Sequence, residues 1–422
     1  MYEPLNSLKQ GTWFKLICGA SFQHLPAIRS IALAYALAGA DCIDVAADPA
    51  AIAAAKEALS VAASLAAEAG KRGYRGDRLS RKESWPLIMA SLNDGEDPHF
   101  RKAEFNPATC PSDCPRPCEK ICPAGAIVFS KNPEREKNLK ETTRPREQSR
   151  EISAGKSALK NTAGSIGSIV GSGNSGVIED RCYGCGRCVL VCPIGHIVTR
   201  SYVSTPAAVA ELVLPGGVDA IEIHTKIGRL EDFKRLWKAI APWIYESESS
   251  PLKLLAISCG DGEGLTDYLW SLYDLISPLP CPLIWQTDGR PMSGDISPGT
   301  THAAIKLGQK VLDSGPPGRV QLAGGTNNHT ASKLAKAGLL NSPSPSMSEK
   351  NSHPFIAGIA YGSYARVLLS PILERLEALG NEELKTAPRL EDHPELLWEA
   401  VDLANSLVNT LKSALRLQDT TK

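Results

Sequence analysis

Eight of the twelve cysteines fall in two short runs, and thiols clustered at tight spacing in a reducing compartment favour metal over disulfides. The second run, Cys182-Tyr-Gly-Cys185-Gly-Arg-Cys188-Val-Leu-Val-Cys192-Pro193, matches the C-x2-C-x2-C-x3-C-P pattern of bacterial ferredoxins residue for residue. Three thiolates two residues apart let one loop wrap an iron–sulfur cubane, and Gly184 and Gly186 let the backbone approach its sulfides. Zinc sites favour paired CxxC knuckles with a longer spacer. The first run, Cys110-Pro-Ser-Asp-Cys114-Pro-Arg-Pro-Cys118-Glu-Lys-Ile-Cys122-Pro123, has three residues in every gap. It misses the C-x3-C-x2-C spacing of a radical S-adenosylmethionine site by one residue.

The residues after each fourth cysteine repeat. Cys122-Pro-Ala-Gly-Ala-Ile-Val128 aligns with Cys192-Pro-Ile-Gly-His-Ile-Val198. A two-cluster ferredoxin is built from two such halves, each fourth cysteine crossing to the other cluster. The expected ligand sets are Cys122, Cys182, Cys185 and Cys188 for one 4Fe-4S cluster, and Cys110, Cys114, Cys118 and Cys192 for the other. The stretched loop leaves the second set open between four irons and a labile three-iron form. Lys131 to Gly176, charged and then Gly/Ser/Ala-rich without aromatics, reads as a flexible linker (131–176) between the halves.

Outside roughly Gly95 to Arg200, eight apolar runs alternate with helical stretches. The runs are Phe14–Ser21, Cys42–Asp48, Pro86–Leu92, Val218–His224, Leu252–Cys259, Pro282–Asp288, Arg319–Gly324 and Phe355–Tyr361. Eight such units close a TIM-like (β/α)8 barrel, here with a two-cluster ferredoxin-like domain inserted after the third strand; an open doubly wound sheet is the alternative. The expected division is three βα units in 1–95, the iron–sulfur insertion in 96–204, five βα units in 205–385 and an amphipathic helix in 386–422. Helices are expected over Pro26–Gly39, Ala50–Gly70, Thr205–Leu214, Glu231–Trp243, Thr266–Ile276, Thr301–Ser314, Ala331–Leu339 and Ser363–Gly380. The Glu395–Leu417 stripe is expected to pack on its own domain.

Barrel chemistry sits at the C-terminal strand ends, which would place the inserted module over the mouth. There the turns Gly324-Gly325 and Gly362, with Arg366 as counter-charge, are candidates for the phosphate of a flavin mononucleotide (FMN); glycines that merely permit tight turns are the plainer reading. His224 and Lys226 are candidate acid/base or anion contacts, beside Asp48, Asn93, Asp94, Asp261, Asp288 and Arg290. Cys259 reads as an inert small hydrophobe or a reactive thiol, and Cys18, Cys42 and Cys281 as core or near-core residues.

Lysine plus arginine and aspartate plus glutamate both total 46, so no basic excess speaks for nucleic acid. The start has no basic stretch leading into an apolar one. The Ala-rich 31–69 stretch carries Asp41, Asp44, Asp48 and Pro49, which a lipid-facing helix tolerates poorly. A cytoplasmic protein without membrane insertion is expected.

Three stretches carry a family resemblance: Leu5–Gln23, Ala38–Asp48 and the paired cysteine motifs. Together they resemble the LdpA family, the light-dependent period proteins of cyanobacteria, over nearly the whole chain. The resemblance implies an iron–sulfur protein that reports redox state, set by photosynthetic electron flow, to the circadian clock. It implies redox partners and clock proteins as partners. The competing functions are a flavin-dependent oxidoreductase that uses the clusters as an electron relay, and a plain electron carrier with the barrel as scaffold.

Overall fold

The computed structural model describes residues 3–18, 25–95, 101–111, 113–122, 125–129, 176–178, 182, 187–201, 213–245, 252–289, 299–341, 354–379 and 388–413. Two compact units emerge, one from Met1–Phe100 with Ser201–Lys422 and one from Arg101–Arg200. The strands are β1 (Trp13–Ile17), β2 (Cys42–Ala46), β3 (Leu87–Asn93), β4 (Arg101–Glu104), β5 (Val198–Ser201), β6 (Ala220–His224), β7 (Leu254–Gly260), β8 (Leu283–Asp288), β9 (Arg319–Ala323) and β10 (Gly358–Tyr361). The helices are α1 (Glu3–Gln10), α2 (Leu25–Ala38), α3 (Pro49–Ser64), α4 (Ala66–Lys71), α5 (Pro117–Ile121), α6 (Arg187–Val191), α7 (Leu230–Tyr245), α8 (Leu265–Ile276), α9 (Thr301–Ser314), α10 (Thr330–Lys336), α11 (Ser363–Ala378) and α12 (Pro394–Lys412).

In the first unit, β1-β2-β3-β6-β7-β8-β9-β10 close into a parallel barrel, β10 pairing back onto β1. Each expected apolar run supplies one strand, and closure removes the open-sheet alternative. Alternation explains why the runs are nearly continuous in apolar residues. On β2, Ile43 and Val45 face the layer under the helices, while Cys42 belongs to the cluster inside the barrel. Both faces are buried, as parallel strands require. The expected 50–70 helix breaks at Leu65 into α3 and α4, and Asp48 caps α3 by accepting from the Ala50 N–H at 2.7 Å. The α12 stripe, including Leu397, Val401, Ala404 and Val408, is buried against α2 and α11 of its own unit.

The barrel interior changes character along the strands. Its N-terminal half is apolar: Trp13, Cys42, Leu87, Met89, Ala220, Leu254 and Ile284 cluster with Leu5 and Leu8 of α1, which plugs that end. Two residues further along, the inward positions become Lys15, Asp44, Ser91, Glu222, Ser258, Gln286 and Gln321, all buried. No helix of the described residues is long and apolar enough to cross a membrane.

The second unit pairs β4 with β5. Between them along the chain lie α5, an antiparallel bridge from Ile127 to Val177, and α6. The linker up to residue 175, Cys185, Gly184, Gly186, Arg290 and the expected helix over 205–212 lie outside the described residues.

Candidate iron–sulfur site

The two cysteine runs adopt matching local structures. Each third cysteine, Cys118 or Cys188, is the second residue of a short helix, and each fourth, Cys122 or Cys192, directly follows that helix. The next turn repeats atom for atom. Gly125 N–H bonds the Cys122 carbonyl at 3.1 Å, and Gly195 N–H bonds that of Cys192 at 3.1 Å. The sulfur of Cys122 accepts from Ala126 N–H at 3.2 Å, and that of Cys192 from His196 N–H at 3.2 Å. Gly125 and Gly195 have φ of 55° and 60°, left-handed values that explain why the repeat keeps glycine here.

The first run carries two extra residues, one in each of its first two gaps, and the second of these gaps holds a left-handed residue. Arg116 lies between Pro115 and Pro117 and takes a left-handed φ of 52°, the one positive φ outside glycine among the described residues. Such a conformation costs about 1–3 kcal/mol and needs support from its surroundings. Its guanidinium sits over the Phe129 ring, 4.3 Å from the centroid, and Phe129 in turn packs on Phe105 at 5.4 Å.

Cys118 and Cys188 are buried in an apolar cluster with Ala103, Phe105, Ile127, Val177 and Ile197, and Cys110, Cys122, Cys182 and Cys192 pack against it. Cys182 accepts from Ala103 N–H of β4 at 3.4 Å. Burial raises the pKa of Cys110, and the neighbouring sulfurs of Cys114 and Cys192 add to that, opposed by Arg116. Burial likewise raises Cys118, reinforced by Cys192 and Cys110 against the Glu119 N–H. Cys192, the last cysteine of the second run, is thus an electrostatic neighbour of the first run. For Cys192 itself burial raises the pKa, but the N–H groups of Ile197, His196, Ile194 and Gly195 outweigh it and the net shift is downward. Four backbone dipoles there favour a thiolate, the form that binds iron. Among the described residues, no three His, Cys, Asp or Glu side chains gather closely enough to hold a single metal ion.

The barrel residues singled out from the sequence are distributed differently. Gly324 and Gly325 have φ of 64° and 92°, and Gly325 turns against Thr300, whose hydroxyl donates to the Gly325 carbonyl at 2.6 Å. Gly362 precedes α11, and Arg366 donates to the Ile17 carbonyl at 3.0 Å and Ser363 Oγ at 3.2 Å. His224 Nε2 lies 3.1 Å from Glu222 Oε1. Burial raises the carboxyl of Asp288, opposed by His224, its Ser258 hydrogen bond and Lys15. Asp261 pairs with Lys310 at 2.8 Å, and Asp94 contacts Thr225 and Arg229. Cys259 is buried and pushed up to about 12, chiefly by desolvation, which disfavours its thiolate. Cys18 and Cys42 are buried and Cys281 half-buried.

The sequence reading passed over the network beneath these residues. Lys15 Nζ, fully buried, bonds Asp44 Oδ2 at 2.8 Å, Glu222, and Gln286 Oε1 at 3.0 Å. Gln286 Nε2 donates to Glu222 Oε1 at 2.5 Å and Ser258 Oγ at 3.2 Å, and Ser91 donates to Asp44 at 2.7 Å. The available signal was a polar residue at alternate positions of otherwise apolar strands.

Comparison with known proteins places the cysteine unit. Residues 110–140 and 163–203 match the LdpA Fe-S cluster-binding domain, which makes this an iron–sulfur protein. Residues 212–410 match the Light dependent period A C-terminal domain. Light dependent period A of Synechococcus elongatus is 43% identical over 412 residues, spanning 98% of this chain and 94% of that protein. The chain belongs to the light dependent period A family. No solved structure matches it.

Proposed function

We propose that unit 101–200 is a ferredoxin-like module with two 4Fe-4S clusters, and that the protein senses redox state on behalf of the circadian clock. One cluster takes Cys110, Cys114, Cys118 and Cys192, the other Cys122, Cys182, Cys185 and Cys188. The observation that carries this reading is the repeated helix–cysteine–glycine turn, with Cys110, Cys122, Cys182 and Cys192 all packing against the cluster that buries Cys118 and Cys188. When bound, such clusters supply reversible one-electron chemistry whose potential follows hydrogen bonding to sulfur and solvent exposure. The chain's own residues set both. N–H groups after Cys122 and Cys192 stabilise negative charge on sulfur, and Phe105, Ile127 and Ile197 exclude water.

The link to light and the clock rests on likeness to the Synechococcus protein, whose name carries a light dependent period. In this reading redox partners load the clusters in the cytoplasm, and the changed charge alters a surface that clock proteins read. The test poises the full chain anaerobically in oxidised and reduced states. Amide hydrogen exchange of 101–200 and affinity for the clock proteins of the same cell are then measured. State-dependent exchange and affinity are expected; identical values in both states would remove the sensor role.

A further inference from the structure

In the second unit, the chain leaving each cysteine run meets the chain entering the other. After Cys122, the Ala126 carbonyl accepts from Ile178 N–H at 2.8 Å, and Val128 N–H donates to the Gly176 carbonyl at 2.8 Å. Cys182 N–H then closes on the Ile178 carbonyl at 3.0 Å, so backbone pairing runs right up to the second run. After Cys192, β5 pairs with β4, which leads into the first run. Here β4 ends at Glu104, and a short 3-10 turn, Pro107–Thr109, separates it from Cys110.

A side chain spans that interval. His196 Nε2 lies 2.6 Å from Thr109 Oγ1 and 3.1 Å from the Asn106 carbonyl, both in the turn that delivers Cys110. A carbonyl only accepts, so Nε2 carries a hydrogen, while the Thr109 hydroxyl donates to the same Asn106 carbonyl at 2.9 Å. The Asn106 side chain accepts from Ala108 N–H at 3.0 Å, which fixes the turn that the imidazole grips. The ring also stands edge-on to Phe105, with centroids 6.2 Å apart, and Phe105 is buried with Cys118 and Cys188.

The backbone N–H of the same residue donates to Cys192 Sγ at 3.2 Å. His196 therefore holds a sulfur of one run with its main chain and the entry to the other run with its side chain. Its counterpart in the repeat is Ala126. That residue's N–H also meets its cysteine sulfur, but its methyl group can make no hydrogen bond. The two halves match in backbone and differ at this side chain.

We propose that His196 is a positioning residue that ties Cys192 to the Cys110 turn and sets the potential of the cluster they share apart from that of the other cluster. The inference rests on the two-cluster reading given above. Hydrogen bonds to sulfur stabilise the added electron and raise the potential. Anchoring the ring holds the residue 196 N–H on Cys192 Sγ; releasing it loosens that bond and leaves the bond at Cys122 untouched.

The test is an anaerobic redox titration of the full chain, followed by electron paramagnetic resonance, with variants compared at wild-type iron content. His196→Ala is expected to lower one midpoint by at least about threefold in the reduction equilibrium, about 28 mV for one electron, with the other midpoint unchanged. His196→Gln keeps an N–H at similar reach and is expected to restore most of the shift. Thr109→Val is expected to move the same midpoint in the same direction by less, because the Asn106 carbonyl remains. Thr109 is exposed, so this variant carries the test if His196→Ala loses a cluster. Roughly four irons in the wild type, in place of roughly eight, would overturn the two-cluster reading and this inference with it. With roughly eight irons present, both midpoints unmoved or both moved equally would overturn the inference alone. A lowered thermal midpoint with unchanged potentials would do the same, since that is the behaviour of a merely structural residue.

Discussion

Replacing Lys15 with methionine should be among the most damaging single changes in the barrel. The ammonium is fully buried and joins Asp44, Glu222 and Gln286. Methionine fills a similar volume, so little of the effect comes from a cavity. What remains is two buried carboxylates without their counter-charge and a Gln286 oxygen that keeps only its Gln321 bond. Breaking a buried ion pair from one side costs about 3–5 kcal/mol, against a typical total stability of about 5–15 kcal/mol. The assay is urea unfolding followed by circular dichroism, with the midpoint and slope fitted for each variant. Lys15→Met should lose at least about 3 kcal/mol. The triple variant Lys15→Met/Asp44→Asn/Glu222→Gln removes all three charges and should recover most of that loss. A single-variant cost under about 1 kcal/mol, the range of exposed pairs, would refute the buried-network reasoning, as would a triple variant no better than the single one.

Other consequences separate the cysteines and the titrating groups. Cys185→Ser should cost one cluster outright, whereas Cys110→Ser should lose less iron because its loop departs from the ferredoxin spacing; equal losses would refute the ranking. Cys259 has its folded pKa raised to about 12, so the folded state holds a proton that the unfolded chain releases near pH 8.5. Stability is therefore whole below that value and falls toward about pH 12, by about 1.4 kcal/mol per unit for this thiol. Cys259→Ala should flatten the alkaline fall in thermal midpoint, and an unchanged slope would contradict it. Asp288 is also raised by burial, so its contribution is present at acid pH and lost as pH climbs past the usual carboxylate range. Asp288→Asn should raise the thermal midpoint at pH 7.5 relative to wild type and give no gain at pH 4; a uniform shift would point to packing instead.

Much of the barrel was legible because parallel strands buried on both faces leave near-continuous apolar runs, such as Leu254–Cys259. Closure was expected from the count of eight runs, and the pairing of β1 with β10, at opposite ends of the chain, bears it out. The cysteine repeat was readable because cluster ligation needs fixed local spacing. The left-handed turn at Arg116 in its stretched second gap was not, because a positive φ outside glycine depends on tertiary support from Phe129. The Lys15 layer was missed for a related reason. Lys15 and Glu222 are 207 residues apart, and each alone reads as one polar residue in a strand. Gly324 and Gly325 were read as candidates for a flavin phosphate, with a tight turn as the plainer reading; the structure describes a turn against Thr300 there and Arg366 beside β1.

The crossed ligand sets are tested most directly by counting iron and acid-labile sulfide per chain in anaerobically purified wild type, Cys192→Ser, and Cys192→Ser combined with Cys110→Ser or with Cys185→Ser. Two clusters give roughly eight irons in the wild type. If Cys192 serves the first run, adding Cys110→Ser removes no further iron and adding Cys185→Ser removes the rest. Roughly four irons in the wild type, or further loss with Cys110→Ser but none with Cys185→Ser, would contradict the assignment.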